Sequence, residues 1–274
     1  MKLLIDVLNV LLPPLYCSTV WCYAKSFFKN SLLARKLKTP LLSVTMIVHV
    51  LFLASRTVQY GHPPITNIFE ILSVIALTTA MLYRLIEFLT KVKNTGYFVL
   101  IISFIFQLVS TVLIQDGADV KPVLKSNLLG IHVTSALLGY SAFAISAVYG
   151  FLYIMLYHHI KSNRFGVVYE NLPNLEKLER MAMLSVLSGF ILLTVAIIVG
   201  IVWLPQAFTN YSYADPKLIG TVCIWFMYGV GLAAKRTIGW QGRKIMILSI
   251  IGFAVSMLSL TVVNVFLSGF HNFF

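Results

Sequence analysis

The stretch MAMLSVLSGFILLTVAIIVGIVW, residues 181–203, runs for 23 residues without one charged side chain. A helix rises about 1.5 Å per residue, so a run of this length crosses the ~30 Å hydrocarbon core of a bilayer. Working outward, comparable apolar runs lie at roughly 4–24, 41–59, 68–90, 97–114, 128–157, 218–234 and 245–268, separated by short connections that make consecutive helices antiparallel. The expected fold is all-α, a polytopic integral membrane protein of about eight transmembrane helices forming one transmembrane domain over residues 1–274. The first run contains Asp6, Pro13 and Pro14 and shows no small-residue cleavage site before its basic flank. It reads as a retained span and not as a signal peptide.

Composition agrees with that reading. The chain is 59% hydrophobic and 11% charged, with a mean hydropathy of +0.88, too little polar surface to cover a soluble domain of this length. A net charge of +12 in a soluble protein would suggest nucleic acid. Here the basic residues sit between apolar runs, so they report topology and no nucleic-acid partner is expected. Fifteen Lys and Arg fall in the first, third, fifth and seventh connections, against three (Lys121, Lys125 and Lys217) in the alternate ones. The positive-inside rule therefore puts both termini, and the connections near 60–67, 115–127 and 204–217, on the outside. Cys17, Cys22 and Cys223 lie inside apolar segments without metal-ligand spacing, so neither a disulfide framework nor a zinc knuckle is indicated. The mixed charges Glu176, Lys177, Glu179 and Arg180 read as a solvated cytoplasmic turn.

Histidine in a membrane span is costly unless it has a partner or a task. His49 sits near the middle of the second run, and Arg56 follows two helical turns on, on the same face. His49 reads either as a helix-to-helix hydrogen-bonding group or as a metal ligand. His132 opens the fifth run at its outer end and His271 follows the eighth. Each alone reads as an interfacial polar residue, whereas together they form a pair of imidazoles suited to the two axial positions of haem iron. Between them in sequence, the loop from Trp203 through Phe208, Tyr211, Tyr213 and Asp215 to Lys217 is either an aromatic anchoring belt or a platform for a flat cofactor. Asn67 is placed to cap the third helix with Glu70 in its first turn. No catalytic triad, paired carboxylates or Gly-rich phosphate loop is present, so no self-contained enzyme is indicated. Intramembrane carboxylates of the proton-relay kind are missing as well, which disfavours ion-coupled transport.

Several segments, in order, resemble the cytochrome c assembly family of haem-handling membrane proteins, in particular the CcsA/ResC type of system II and its HemX-like relatives. They are Gly61–His62–Pro63–Pro64–Ile65–Thr66–Asn67–Ile68–Phe69–Glu70, Ile131–His132–Val133 with Gly139–Tyr140–Ser141–Ala142–Phe143, Asp215–Pro216–Lys217, Gly239–Trp240–Gln241–Gly242–Arg243–Lys244, Val263–Asn264 and Ser268–Gly269–Phe270–His271. The resemblance covers nearly the whole chain and is densest over residues 61–271. It implies that His132 and His271 flank an outer haem-binding loop, and that His49 matches the first of two further histidines within the membrane. Phe208, Ser212 and Ala214 stand where the family's loop carries tryptophans, Ala233 where the second intramembrane histidine falls, and Leu218 where the family has an acidic residue.

The resemblance implies haem b as the group handled, held or exported at the outer face for attachment to apocytochrome c. It further implies a second membrane subunit with a large outer domain, and residence in the lipid bilayer of a bacterial cytoplasmic membrane or a thylakoid. The chain would be at most the membrane subunit of a cytochrome c haem lyase. The alternative is a HemX-like regulatory or scaffolding protein that does not pass haem on.

Overall fold

The computed structural model describes residues 1–114, 126–163, 165–207 and 212–259, and helix is the regular structure throughout them. In chain order the helices are α1 (Lys2–Phe28), α2 (Leu32–Tyr60), α3 (Ile68–Thr90), α4 (Gly96–Leu113), α5 (Asn127–Lys161), α6 (Val167–Asn171), α7 (Leu175–Ala207), α8 (Pro216–Thr237) and α9 (Arg243–Leu258). Seven of them, α1 to α5, α7 and α8, are long and apolar enough to cross a membrane. The protein is therefore a polytopic helical membrane protein. The eighth expected span is described as far as Ser259, with α9 ending at Leu258, and its remainder lies outside the described residues.

Local chemistry sets the helix ends. Ser31 opens α2, and Gly61 closes it in the left-handed region at φ 71°, where a residue without Cβ is unstrained. Asn67 caps α3 by accepting from the Glu70 amide at 2.9 Å, and Glu70 reaches back to the Thr66 amide at 2.9 Å. This is a capping box displaced by one residue. Asp215 caps α8 by accepting from the Lys217 amide at 2.9 Å, with Pro216 in the first turn, where a missing N–H costs nothing. Two helices run well beyond the sequence reading: α2 begins at Leu32 instead of 41, with the basic Arg35, Lys36 and Lys38 of the expected connection inside it, and α7 spans Leu175–Ala207 instead of 181–203. The Asn174 side chain accepts from the Lys177 amide at 3.0 Å, so the charged residues taken for a turn form the first helical turns. At the other end Trp203 and Pro205 remain helical.

The chain divides into two compact units, residues 1–130 with 159–173, and residues 131–158 with 174–274. In the first, α1 to α4 pack together. The buried positions of α2 are Lys38, Leu42, Thr45, His49, Phe52 and Arg56, and those of α1 include Leu12, Tyr16, Thr19, Tyr23 and Ser26. Both sets alternate three and four residues apart, the seam of a left-handed bundle, and both are largely polar. Ile47, Val50 and Leu51 on the other face of α2 are exposed. That distribution suits lipid outside and hydrogen bonds within.

In the second unit the core gathers Phe143 of α5, Val186, Leu193 and Ala196 of α7, and Ile224 and Tyr228 of α8. Phe143 and Tyr228 stack at 3.7 Å between ring centroids. A Cβ built on Gly189 would lie 3.0 Å from the Gly139 carbonyl oxygen, so α5 and α7 approach closely through small residues.

Candidate functional site

His132 lies near the start of α5, and its ring is partly buried against α7. Its Nδ1 lies 2.7 Å from the Ala196 carbonyl oxygen. A carbonyl only accepts, so Nδ1 carries the proton and Nε2 keeps its lone pair in the neutral ring. A helical carbonyl has a second lone pair to offer without leaving its own ladder. Among the described residues Nε2 has no hydrogen-bond partner. Space for the ring is made by Gly200, one turn beyond Ala196, where an added Cβ would stand 2.8 Å from both Cε1 and Nδ1 of His132. Ala196, Gly200 and Trp203 fall on one stripe of α7 at i, i+4 and i+7, and Trp203 is buried.

An imidazole tethered through Nδ1 to a backbone carbonyl, with Nε2 bare, is the arrangement that orients a histidine toward a metal. Lys217, at the start of α8, is close enough to His132 to act on it electrostatically. Asp215 beside it is buried in its capping role, whereas Tyr213 is 54% exposed. The structure thus gathers His132, Trp203 and the Asp215–Lys217 turn within one unit. Phe208, Tyr211 and His271 lie outside the described residues. No three metal-ligating side chains converge among the described residues; an iron already held by a macrocycle asks only for axial nitrogens.

The other two candidates belong to the four-helix unit. His49 is fully buried, with Nδ1 2.9 Å from the Tyr16 hydroxyl and Nε2 2.9 Å from Ser73 Oγ. Ser73 Oγ donates to Gln107 Oε1 at 2.9 Å, and Gln107 donates to Thr111 at 3.0 Å. The chain of bonds joins α1, α2, α3 and α4, with His49 between hydroxyls on both sides. A metal at His49 would have to displace one of them. Arg56 pairs with Glu70 at 2.7 Å, both buried, and its guanidinium lies 4.9 Å from the Tyr60 ring centroid. Glu70 is therefore both a capping residue and the counter-ion of Arg56. At the opposite end of the bundle Glu87 accepts from Tyr23 at 2.7 Å and Thr39 at 2.8 Å.

Comparison with known proteins places these features in a family. The family described as cytochrome C assembly protein matches residues 65–271, three quarters of the chain. The chain belongs to the cytochrome c assembly family. Among the relatives of this family member, a cytochrome c biogenesis protein CcsA of Prochlorococcus marinus (strain NATL2A) is 30% identical over 260 residues, covering 81% of each chain. A CcsA of Guillardia theta is 29% identical over 248 residues, covering 83% of this chain and 82% of its own. The protein HemX of Bacillus subtilis (strain 168) is 27% identical over 257 residues, covering 93% of this chain and 91% of its own.

Two groups in this assembly-family chain carry no sequence signal of their own, and a third has a role its charge does not announce. Ala196 and Gly200 were hidden in an apolar run, and only the packing of α5 on α7 gives them a role. Tyr16, Ser73 and Gln107 are uncharged, and only their recurrence at the seam positions of otherwise apolar helices marks them. Glu179 was read as solvated. Its carboxylate takes the Lys235 ammonium on one oxygen and the Gly242 amide, at 2.9 Å, on the other, tying the start of α7 to the end of α8 and the following turn.

Proposed function

We propose that this assembly-family protein handles haem during cytochrome c biogenesis, with His132 Nε2 as an axial ligand and haem b as cargo. The carrying observation is the 2.7 Å bond from Nδ1 to the Ala196 carbonyl, which fixes the tautomer a ligand needs. His271 is the second axial candidate by resemblance. The aromatic side chains Trp203, Phe208, Tyr211 and Tyr213, by chemical type, suit the faces of a macrocycle. Lys217 supplies a cation for a propionate. The protein residues bind and orient haem, and a partner subunit with an outer domain joins it to the apocytochrome thiols. The charge asymmetry of the connections supports presentation at the outer face of a bacterial cytoplasmic or thylakoid membrane.

The test is absorption spectroscopy of protein purified in mild detergent from haem-sufficient cells, alongside holocytochrome c levels in a deletion strain. A Soret band that falls in His132→Ala and is lost with His271→Ala as well, together with missing holocytochrome c, supports the proposal. Protein free of haem at every stage contradicts it. The regulatory reading has its own support: the HemX match spans 93% of the chain, and Ser212 and Ala214 occupy positions where the loop's tryptophans fall. Holocytochrome c unchanged by the deletion favours that reading.

A further inference from the structure

The first four turns of α7, the last two turns of α8 and the turn before α9 line a groove of about 460 Å³. Its polarity is graded along the helix axis. Glu176, Arg180 and Gln241 line its polar end, and Met183, Leu184 and Leu187 of α7 with Leu232 of α8 line its apolar end. Leu187 follows Glu176 by eleven residues, so the change from charged to apolar takes about 16 Å of helix rise. α7 has 33 residues and so a length of about 50 Å, well beyond the ~30 Å hydrocarbon core. Its first two turns therefore stand in the headgroup layer while Leu187 faces acyl chains.

The charges at the polar end are of two kinds. Glu179 and Lys235 neutralise each other within the wall, and the second oxygen of Glu179 holds the Gly242 amide. Glu176 and Arg180 also line the groove, have no partner among the described residues, and lie one helical turn apart. One free anion and one free cation beside an apolar wall complement a head bearing both a phosphate and an ammonium.

We infer that this groove binds a zwitterionic phospholipid with a primary ammonium head, of the phosphatidylethanolamine class. Arg180 takes the phosphate in a charge-assisted hydrogen bond, and Glu176 and the Gln241 amide oxygen take the ammonium protons. The upper acyl chain lies along Leu184 and Leu187. A quaternary choline head offers Glu176 charge but no N–H, and an anionic head without an ammonium meets Glu176 as a like charge. A dicarboxylate amphiphile is disfavoured for the same reason. The inference is independent of haem binding at His132.

The test is native mass spectrometry of the full chain in micelles doped with phosphatidylethanolamine, phosphatidylcholine or phosphatidylglycerol. Wild type should retain phosphatidylethanolamine over the other two. Arg180→Gln should lower its retention about tenfold to a hundredfold, the order of one charge-assisted hydrogen bond, while Arg180→Lys keeps most of it. Glu176→Gln should erase the preference over phosphatidylcholine and raise phosphatidylglycerol retention. Neither position has a partner among the described residues, so circular dichroism and size-exclusion profiles should match wild type. Equal retention of all three lipids by wild type, or variants indistinguishable from it, overturns the inference. So does loss of haem from Arg180→Gln with lipid retention unchanged, which would assign the groove to haem.

Discussion

Gly200→Ala tests the seat of His132 through a clash that can be sized from the geometry. The new methyl would sit 2.8 Å from Cε1 and Nδ1 of a flat ring whose Nδ1 is held 2.7 Å from the Ala196 carbonyl. The imidazole cannot bend, so it must retreat and stretch that bond, or α7 must move away from α5. Overpacking of this kind costs about 1–3 kcal/mol, and losing the hydrogen bond adds roughly 0.5–1.5 kcal/mol. Against this, alanine is favoured over glycine inside a helix by about 1 kcal/mol, leaving a net loss of about 1–3 kcal/mol. The His132→Ala background removes the ring, and there the same substitution should stabilise by up to about 1 kcal/mol. The assay is SDS-titrated unfolding in mixed micelles across the four proteins of the cycle, read by circular dichroism. A coupling of about 2–4 kcal/mol between the positions is expected. An equal effect of Gly200→Ala in both backgrounds would refute the packing argument.

The same titration reads three further outcomes. Removing either member of the buried Arg56–Glu70 pair, as Arg56→Met or Glu70→Gln, should cost about 3–5 kcal/mol, and the double variant less than the sum, because the second change removes a stranded charge. Ser73→Ala, which takes one partner each from His49 and Gln107, should cost about 0.5–2 kcal/mol; no loss would mean that the hydrogen-bonded chain across the four helices contributes nothing to the bundle. Asn67→Ala should cost about 1 kcal/mol and Asn67→Asp much less, since aspartate caps as well.

The spans were legible because a bilayer imposes one length and one polarity on every crossing, and α3 was read with the bounds it has, Ile68–Thr90. The cap at Asn67 was equally plain, because its chemistry is contained within four residues. The start of α7 was misjudged for a physical reason: charge reports solvent, and a helix can leave the membrane without ending. Glu179 looked solvated in one dimension, but Lys235 and Gly242 reach it from residues far along the chain. His132 could be nominated from its position at a span end, yet nothing in the sequence gave its tautomer. That depends on a carbonyl and a glycine 64 and 68 residues away. His49 and Arg56 were correctly put on one face of α2, but their partners come from other helices, and those partners turned two isolated polar residues into a network.

The most direct measurement of His132 as ligand is imidazole rescue of the haem spectrum. His132→Gly removes the ring that bonds Ala196 and fills the space beside Gly200, and free imidazole can enter the vacated seat. The account predicts a Soret band in wild type, its loss or a shift to a weaker-field spectrum in His132→Gly, and its recovery when millimolar imidazole is added. A His132→Gly protein that keeps the wild-type spectrum without imidazole, or a wild-type protein that takes up no haem, would contradict it.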